Sequence, residues 1–196
     1  MNKSVEFFFD FGSPTSYLAN TQLPSICVGA GARLVYRPVF LRTLFEATGN
    51  SSPVRIPAKG RYLFNDFQRF AKRYDVALSF NPSFPINTLP LIRGAIALQL
   101  QGDKRFTDYL EAMFRAIWVE ARDLNDPVVI AETLHENGFD PEIFRANASS
   151  EEIDALLEAN INDAVARGVF GVPTMFVGDE MFFGQDRLDF VSEALA

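Results

Sequence analysis

The chain has 196 residues, 48% of them apolar, with 20 phenylalanines and a formal net charge of −7. That length and apolar content can fill one sizeable core and exclude a disordered chain, and the acidic balance argues against a general nucleic-acid binder. No apolar run approaches the roughly 20 residues of a membrane span, Met1–Asp10 lacks the features of a secretory signal, and a single cysteine, Cys27, fits a reducing, cytoplasmic setting.

VEFFFDF (5–11) is a β-rich run bounded by Gly12 and reads as a buried strand. Ser13-Pro14 then opens a helix, with serine as the cap and proline at the first helical position, where no hydrogen bond is lost. Pro24 is expected to kink or break it. RLVYRPVF (33–40) is a second strand, completing a β-α-β start.

Residues 42–148 have helical character and no convincing strand. Helices are expected over 60–74, with Leu63, Phe64, Phe67 and Phe70 turned inward, and near 89–101, 103–119, 126–137 and 141–147. Loops at 49–57 and 80–88 separate the first of these. Ser149 with Glu152 forms a capping box for a helix carrying Ile153, Leu156, Leu157, Ile161, Ala164 and Val165 at helical spacing. PTMFV (173–177) and EMFF (180–183) flank Gly178-Asp179, a hairpin signal, and a last helix spans 186–195. This order predicts an α/β, thioredoxin-like fold, with 1–41 and 149–196 as its two halves and 42–148 as an inserted all-helical domain.

Charge is unevenly spread. Residues 31–74 hold nine Lys or Arg against Glu46 and Asp66, so this segment is +7 and the remainder −14. A solvated basic face and a pocket edge that attracts a small anion both fit.

Ser13 has two compatible readings, a helix cap and a donor at a helix N-terminus, where partial positive charge and free N–H groups favour an anion such as a thiolate. Val172-Pro173, between a helix and a hairpin, occupies the place where thioredoxin-like chains carry a cis-proline. A cis bond there would present the Val172 backbone to an extended thiol peptide as an added strand. Gln185 and Asp186 open the last helix; Asp186 is either its N-cap or, with Gln185, part of a cradle for an amino-acid head group. Asn50 and Lys59 come from a loop in the basic segment. His135, the only histidine, has no partners for a metal site or a hydrolase triad.

FDFGSPTSYLA (9–19), TGN…PAKGRYLFNDFQRFA (48–71) and GVFGVPTMFVGDEMFFGQDRLDFVSEAL (168–195) together resemble the 2-hydroxychromene-2-carboxylate isomerase family. That family belongs with the kappa-class glutathione transferases in the DsbA-like branch of the thioredoxin superfamily. The resemblance implies glutathione as cofactor, with Ser13 hydrogen-bonding its sulfur. Asn50 and Lys59 would hold its glycyl end, Val172 ahead of cis-Pro173 its cysteinyl backbone, and Phe183, Gly184, Gln185 and Asp186 its γ-glutamyl head. It implies a reversible isomerisation of a small aromatic carboxylate, with the thiol used and returned, in a homodimer.

The sequence departs from the family at three points. No lysine stands near 44–46, where a substrate contact falls; Phe45 is there, and Arg42 is the nearest cation. Phe84 replaces an expected tyrosine, and Phe183 an expected tryptophan. The rivals are a kappa-like transferase and a non-catalytic thioredoxin-like binding protein. The lack of any Cys-x-x-Cys pair argues strongly against thiol–disulfide exchange.

Overall fold

The computed structural model describes residues 3–147 and 149–196. Its sheet contains β1 (Ser4–Phe9), β2 (Arg33–Pro38), β3 (Thr174–Val177) and β4 (Glu180–Phe183), in the order β2-β1-β3-β4. β1 and β2 are parallel, joined by helix α1 (Pro14–Gly29), while β1–β3 and β3–β4 are antiparallel. Between β2 and β3 come α2 (Leu41–Thr48), a 3-10 turn (Pro53–Arg55), α3 (Pro57–Tyr74), α4 (Leu89–Leu100), α5 (Phe106–Trp118), α6 (Pro127–Glu136), α7 (Pro141–Asn147) and α8 (Glu151–Ala166). A 3-10 turn (Gln185–Arg187) and α9 (Leu188–Ala194) follow β4. This is the α/β thioredoxin-like arrangement expected from the element order.

The alternation of β1 explains the core. Phe7 and Phe9 point to one side of the sheet, stacked 5.4 Å apart, and Phe9 meets Phe11 edge-on at 5.4 Å. Phe11 continues into α5, with its ring centroid 4.9 Å from that of Phe114. Phe8 points to the other side, against Phe176 and beneath the guanidinium groups of Arg37 and Arg167. Those two cations share Glu6 and Asp163 in one ion-pair network. The buried residues of sheet and helices form one continuous hydrophobic cluster. On α4, a Cβ at Gly94 would overlap the Phe144 ring of α7, so this glycine permits their close approach.

Several local expectations are corrected. α1 runs unbroken through Pro24, since Leu23 and Cys27 are buried on either side of it and tertiary packing outweighs the lost bond. β1 ends at Phe9, where Asp10 turns its carboxylate to other donors, and β2 ends at its proline, Pro38. The cap of α8 is Ser150, which accepts the Ile153 N–H at 3.2 Å, so the Ser149–Glu152 box does not form. Leu156 is exposed, and Leu63, Phe64, Phe67 and Phe70 are only half-buried. No helix among the described residues is long and apolar enough to cross a membrane.

Pro24 is exposed in the middle of a helix. Replacing it by alanine restores an N–H donor and a better helix former, worth about 3 kcal/mol in a helix interior, offset by about 0.4–1 kcal/mol of added unfolded-state freedom. Tertiary packing has already absorbed part of the proline's penalty. Pro24→Ala should therefore stabilise the fold by about 1–2 kcal/mol, read as a higher urea midpoint at unchanged m-value.

Candidate functional site

The site begins where β1 ends. Asp10 is buried, and its Oδ1 accepts the Gly12 N–H and the Thr88 hydroxyl, each at 2.7 Å. Its Oδ2 accepts the Leu41 N–H at 2.7 Å. Burial pushes its carboxyl above the usual 3.8, with the three hydrogen bonds pulling the other way. Gly12 fits because a Cβ there would press on Asp10 Oδ1 and the Thr88 methyl, both at 3.3 Å. Trp118 closes the far side by donating its indole N–H to the Phe11 carbonyl at 2.7 Å.

This turn delivers Ser13 to the N-terminus of α1. Ser13 is an extended N-cap whose Oγ accepts the Ser16 N–H at 3.1 Å, so the capping role is realised. The hydroxyl is buried, lies 2.9 Å from Thr15 Oγ1 and approaches the Val172 carbonyl at 3.3 Å. Val172–Pro173 is cis, as expected, and a second cis bond joins Phe84 to Pro85. The Val172 N–H finds no hydrogen-bond partner among the described residues. The oxygen of Ser13 and the backbone of Val172 thus meet, although 159 positions separate them in sequence.

Around this pair the predicted residues divide. Asn50 joins it: its side-chain amide donates to the Phe170 carbonyl at 2.8 Å. Phe183 packs on Phe170, with centroids 4.6 Å apart, and both rings are partly exposed. A Cβ at Gly171 would touch Phe183 at 3.1 Å and Phe45 at 3.9 Å, which places all three rings beside the cis-proline loop. Gly184 donates its N–H to the Pro173 carbonyl at 3.0 Å and has φ +101°, where a Cβ would strike Asp186 Oδ1 at 2.5 Å. Gln185 is buried, and its carbonyl accepts the Tyr74 hydroxyl at 2.6 Å. Burial, then the nearby Asp189 charge, push the Tyr74 hydroxyl up to about 12.

Asp186 does not cap the last helix. It sits inside the 3-10 turn, paired with Arg187 at 2.9 Å, and α9 has no side-chain cap. Phe84 packs on Trp118 at 6.0 Å, one contact removed from the Ser13 turn. Arg42 is exposed and paired with Glu46 at 3.3 Å, with no hydrogen bond or ion pair to the Ser13 cluster among the described residues. Lys59, exposed in the first turn of α3, has no carboxylate partner among the described residues. Cys27 is buried at the far end of α1, where burial raises its thiol above the usual value and no cation lowers it again, the opposite of a reactive cysteine.

Sequence reasoning missed Asp10, Thr15, Tyr74, Thr88 and the cis bond before Pro85. One signal existed for the first: a charged residue at the end of an otherwise apolar run.

A family model described as a DSBA-like thioredoxin domain matches residues 4–196. A 2-hydroxychromene-2-carboxylate isomerase of Sphingobium xenophagum is 32% identical, over 100% of this chain and 99% of its own length. The chain belongs to the 2-hydroxychromene-2-carboxylate isomerase family. A solved structure of such an isomerase, 32% identical, superposes with a TM-score of 0.86 over 98% of this chain and 94% of that one. Glutathione S-transferase kappa 1 of Caenorhabditis elegans is more distant, 26% identical over 97% and 90% of the two chains.

Asp10→Asn supplies one acceptor atom where three donors converge, leaving at least one buried N–H or O–H without a partner. It should destabilise the fold at neutral pH by about 1–3 kcal/mol. The sign of the pH dependence is also set. The folded carboxyl lies above 3.8, so the increment of stability that comes from its protonation is fully present below 3.8 and lost as pH rises through the folded value, while its three hydrogen bonds still act at neutral pH. Urea titrations should show the advantage of the parent over Asp10→Asn shrinking with rising pH across that window.

Proposed function

We propose that the chain is a glutathione-dependent cis-trans isomerase that interconverts 2-hydroxychromene-2-carboxylate and trans-o-hydroxybenzylidenepyruvate, or a related aromatic acid. The observation that carries this reading is the buried Ser13 hydroxyl at the α1 N-terminus, 3.3 Å from the Val172 carbonyl, in a chain 32% identical to named isomerases.

The residues fit a thiol tripeptide. The Val172 N–H and C=O are the edge against which an extended peptide adds as a strand. Ser13 would hold the sulfur. Asn50 and Lys59, with its unpaired charge, would take the glycyl carboxylate. Gly184, Gln185 and Asp186, with Phe183 alongside, would take the γ-glutamyl head group. When bound, glutathione supplies a nucleophilic sulfur that is used and then returned. The protein favours the charged form of that sulfur through the Ser13 O–H and the partial positive charge of the helix end.

For the aromatic acid, Phe45, Phe170 and Phe183 form an apolar wall beside the same loop, with Phe84 behind Trp118. Arg42 would meet its carboxylate. The Arg42–Glu46 pair is highly exposed at both ends, and such pairs hold their partners weakly. The reading includes a cytoplasmic homodimer; the exposed Val54, Ile56, Tyr62 and Phe80 support an apolar contact between copies.

Two outcomes are expected. Ser13→Ala should raise the pH at which the bound thiol ionises by about one to two units, the equivalent of losing a 1.5–3 kcal/mol bond to a charged group. Turnover should fall more than affinity, because the other tripeptide contacts remain. Ultraviolet titration of the thiolate reads the shift, and identical curves would reduce Ser13 to a helix cap. Second, full conversion of either aromatic isomer should occur with glutathione far below substrate concentration. Glutathione consumed one for one with an electrophile would instead establish the transferase reading, which Phe45 in place of a lysine favours.

A further inference from the structure

Two hydroxyls, not one, stand at the start of α1. Thr15 Oγ1 lies 2.9 Å from Ser13 Oγ, and either atom can donate. Both face the Val172 carbonyl, Ser13 at 3.3 Å and Thr15 at 3.5 Å. Ser13 Oγ also accepts the Ser16 N–H. A hydroxyl has one proton to give and two lone pairs to fill, so the direction of the Thr15–Ser13 bond decides what Ser13 can offer. If Ser13 donates to Thr15, its proton is spent inside the pair. If Thr15 donates, Ser16 and Thr15 fill both lone pairs of Ser13, and the Ser13 proton is left for another acceptor.

The distances favour the second direction. In that direction Ser13 is left to donate to the Val172 carbonyl at 3.3 Å, until a ligand offers a better acceptor, whereas in the first Thr15 must reach the same carbonyl at 3.5 Å, the outer edge of a hydrogen bond. Thr15 is half-buried, so water competes less for its proton. We propose that Thr15 is a positioning residue: by donating to Ser13 Oγ it aims the Ser13 proton at the sulfur of a bound thiol. It also strengthens that bond by polarising the hydroxyl that makes it. The proposal rests on the glutathione reading above.

The test compares the parent with Thr15→Val, which keeps the shape and removes the hydroxyl, and Thr15→Ser, which restores it. Each is saturated with reduced glutathione, and the thiolate absorbance is followed against pH. S-methylglutathione, whose sulfur cannot ionise, is titrated in parallel by calorimetry. Asp10 and Tyr17, the titratable groups on either side of the turn, keep their own hydrogen-bond partners in every variant.

Thr15→Val should raise the thiolate midpoint by about 0.3–1 pH unit and leave S-methylglutathione affinity within about twofold. Thr15→Ser should return the midpoint to the parent value. A midpoint unmoved in Thr15→Val, or raised equally in Thr15→Ser, overturns the assignment. Thr15→Ala serves the same comparison should the valine variant fail to fold. If the parent itself shows no saturable glutathione binding, the glutathione reading falls and Thr15 with it. Binding with an indifferent midpoint removes Thr15 alone.

Discussion

The carboxylate of Asp10 ties together three stretches of chain that are remote in sequence, and the site depends on that knot. Its donors are the Gly12 N–H just ahead of α1, the Leu41 N–H at the first position of α2, and the Thr88 hydroxyl at the cap of α4. Neither Phe40 nor Thr88 caps its own helix with a side chain. Asp10 supplies from outside what the α2 terminus lacks. Three helix N-termini therefore converge on one buried negative group, and their partial positive charge helps to hold it there. Desolvation still prevails, which is why its carboxyl sits above the usual range. The tension is tolerable because every lone pair used is filled with good geometry. Those bonds fix the turn that carries Ser13 to two other elements.

The sheet and its helices were legible because their signals are local. The FFF run alternates, Gly178-Asp179 turns a hairpin, and proline or a capping residue marks most helix starts. Local rules failed where tertiary packing overrode them. Pro24 would stop an isolated helix, but here the helix continues through it between buried neighbours. Ser149 with Glu152 has the pattern of a capping box, yet it is Ser150 that accepts the Ile153 N–H. Asp186 looked like a cap until the 3-10 turn moved the start of α9 past it.

The pieces of the candidate site were visible one by one in the sequence, but their meeting was not. Ser13 and Val172 carry no sign of each other in sequence, and their contact exists because β1 and β3 pair with Phe8 opposite Thr174. That register brings the turn after β1, which carries Ser13, and the loop ahead of β3, which carries Val172, to the same edge. Asn50 reaches this edge through the Phe170 carbonyl. Arg42, one turn along α2 from Phe45, is drawn outward to Glu46. Within the basic segment Arg37, Arg42 and Arg69 pair with carboxylates, whereas Lys59 has no carboxylate partner among the described residues.

Serine at the helix start changes the chemistry available there. A cysteine in that place would ionise, because the helix end and free N–H groups favour its thiolate, and the anion would belong to the protein. A serine hydroxyl stays neutral. Among the described residues Ser13 hydrogen-bonds only neutral groups, the Ser16 N–H, the Thr15 hydroxyl and the Val172 carbonyl, so its proton suits an anion that arrives with a ligand. Cys27 cannot replace the missing thiol. It is buried at the opposite end of α1, where the helix dipole and desolvation both disfavour ionisation. On the proposed reading, Ser13 and Ser16 make this end of α1 a receptor for a sulfur that a ligand brings. Ser13 provides the donor, and the backbone N–H of Ser16 occupies one of its lone pairs.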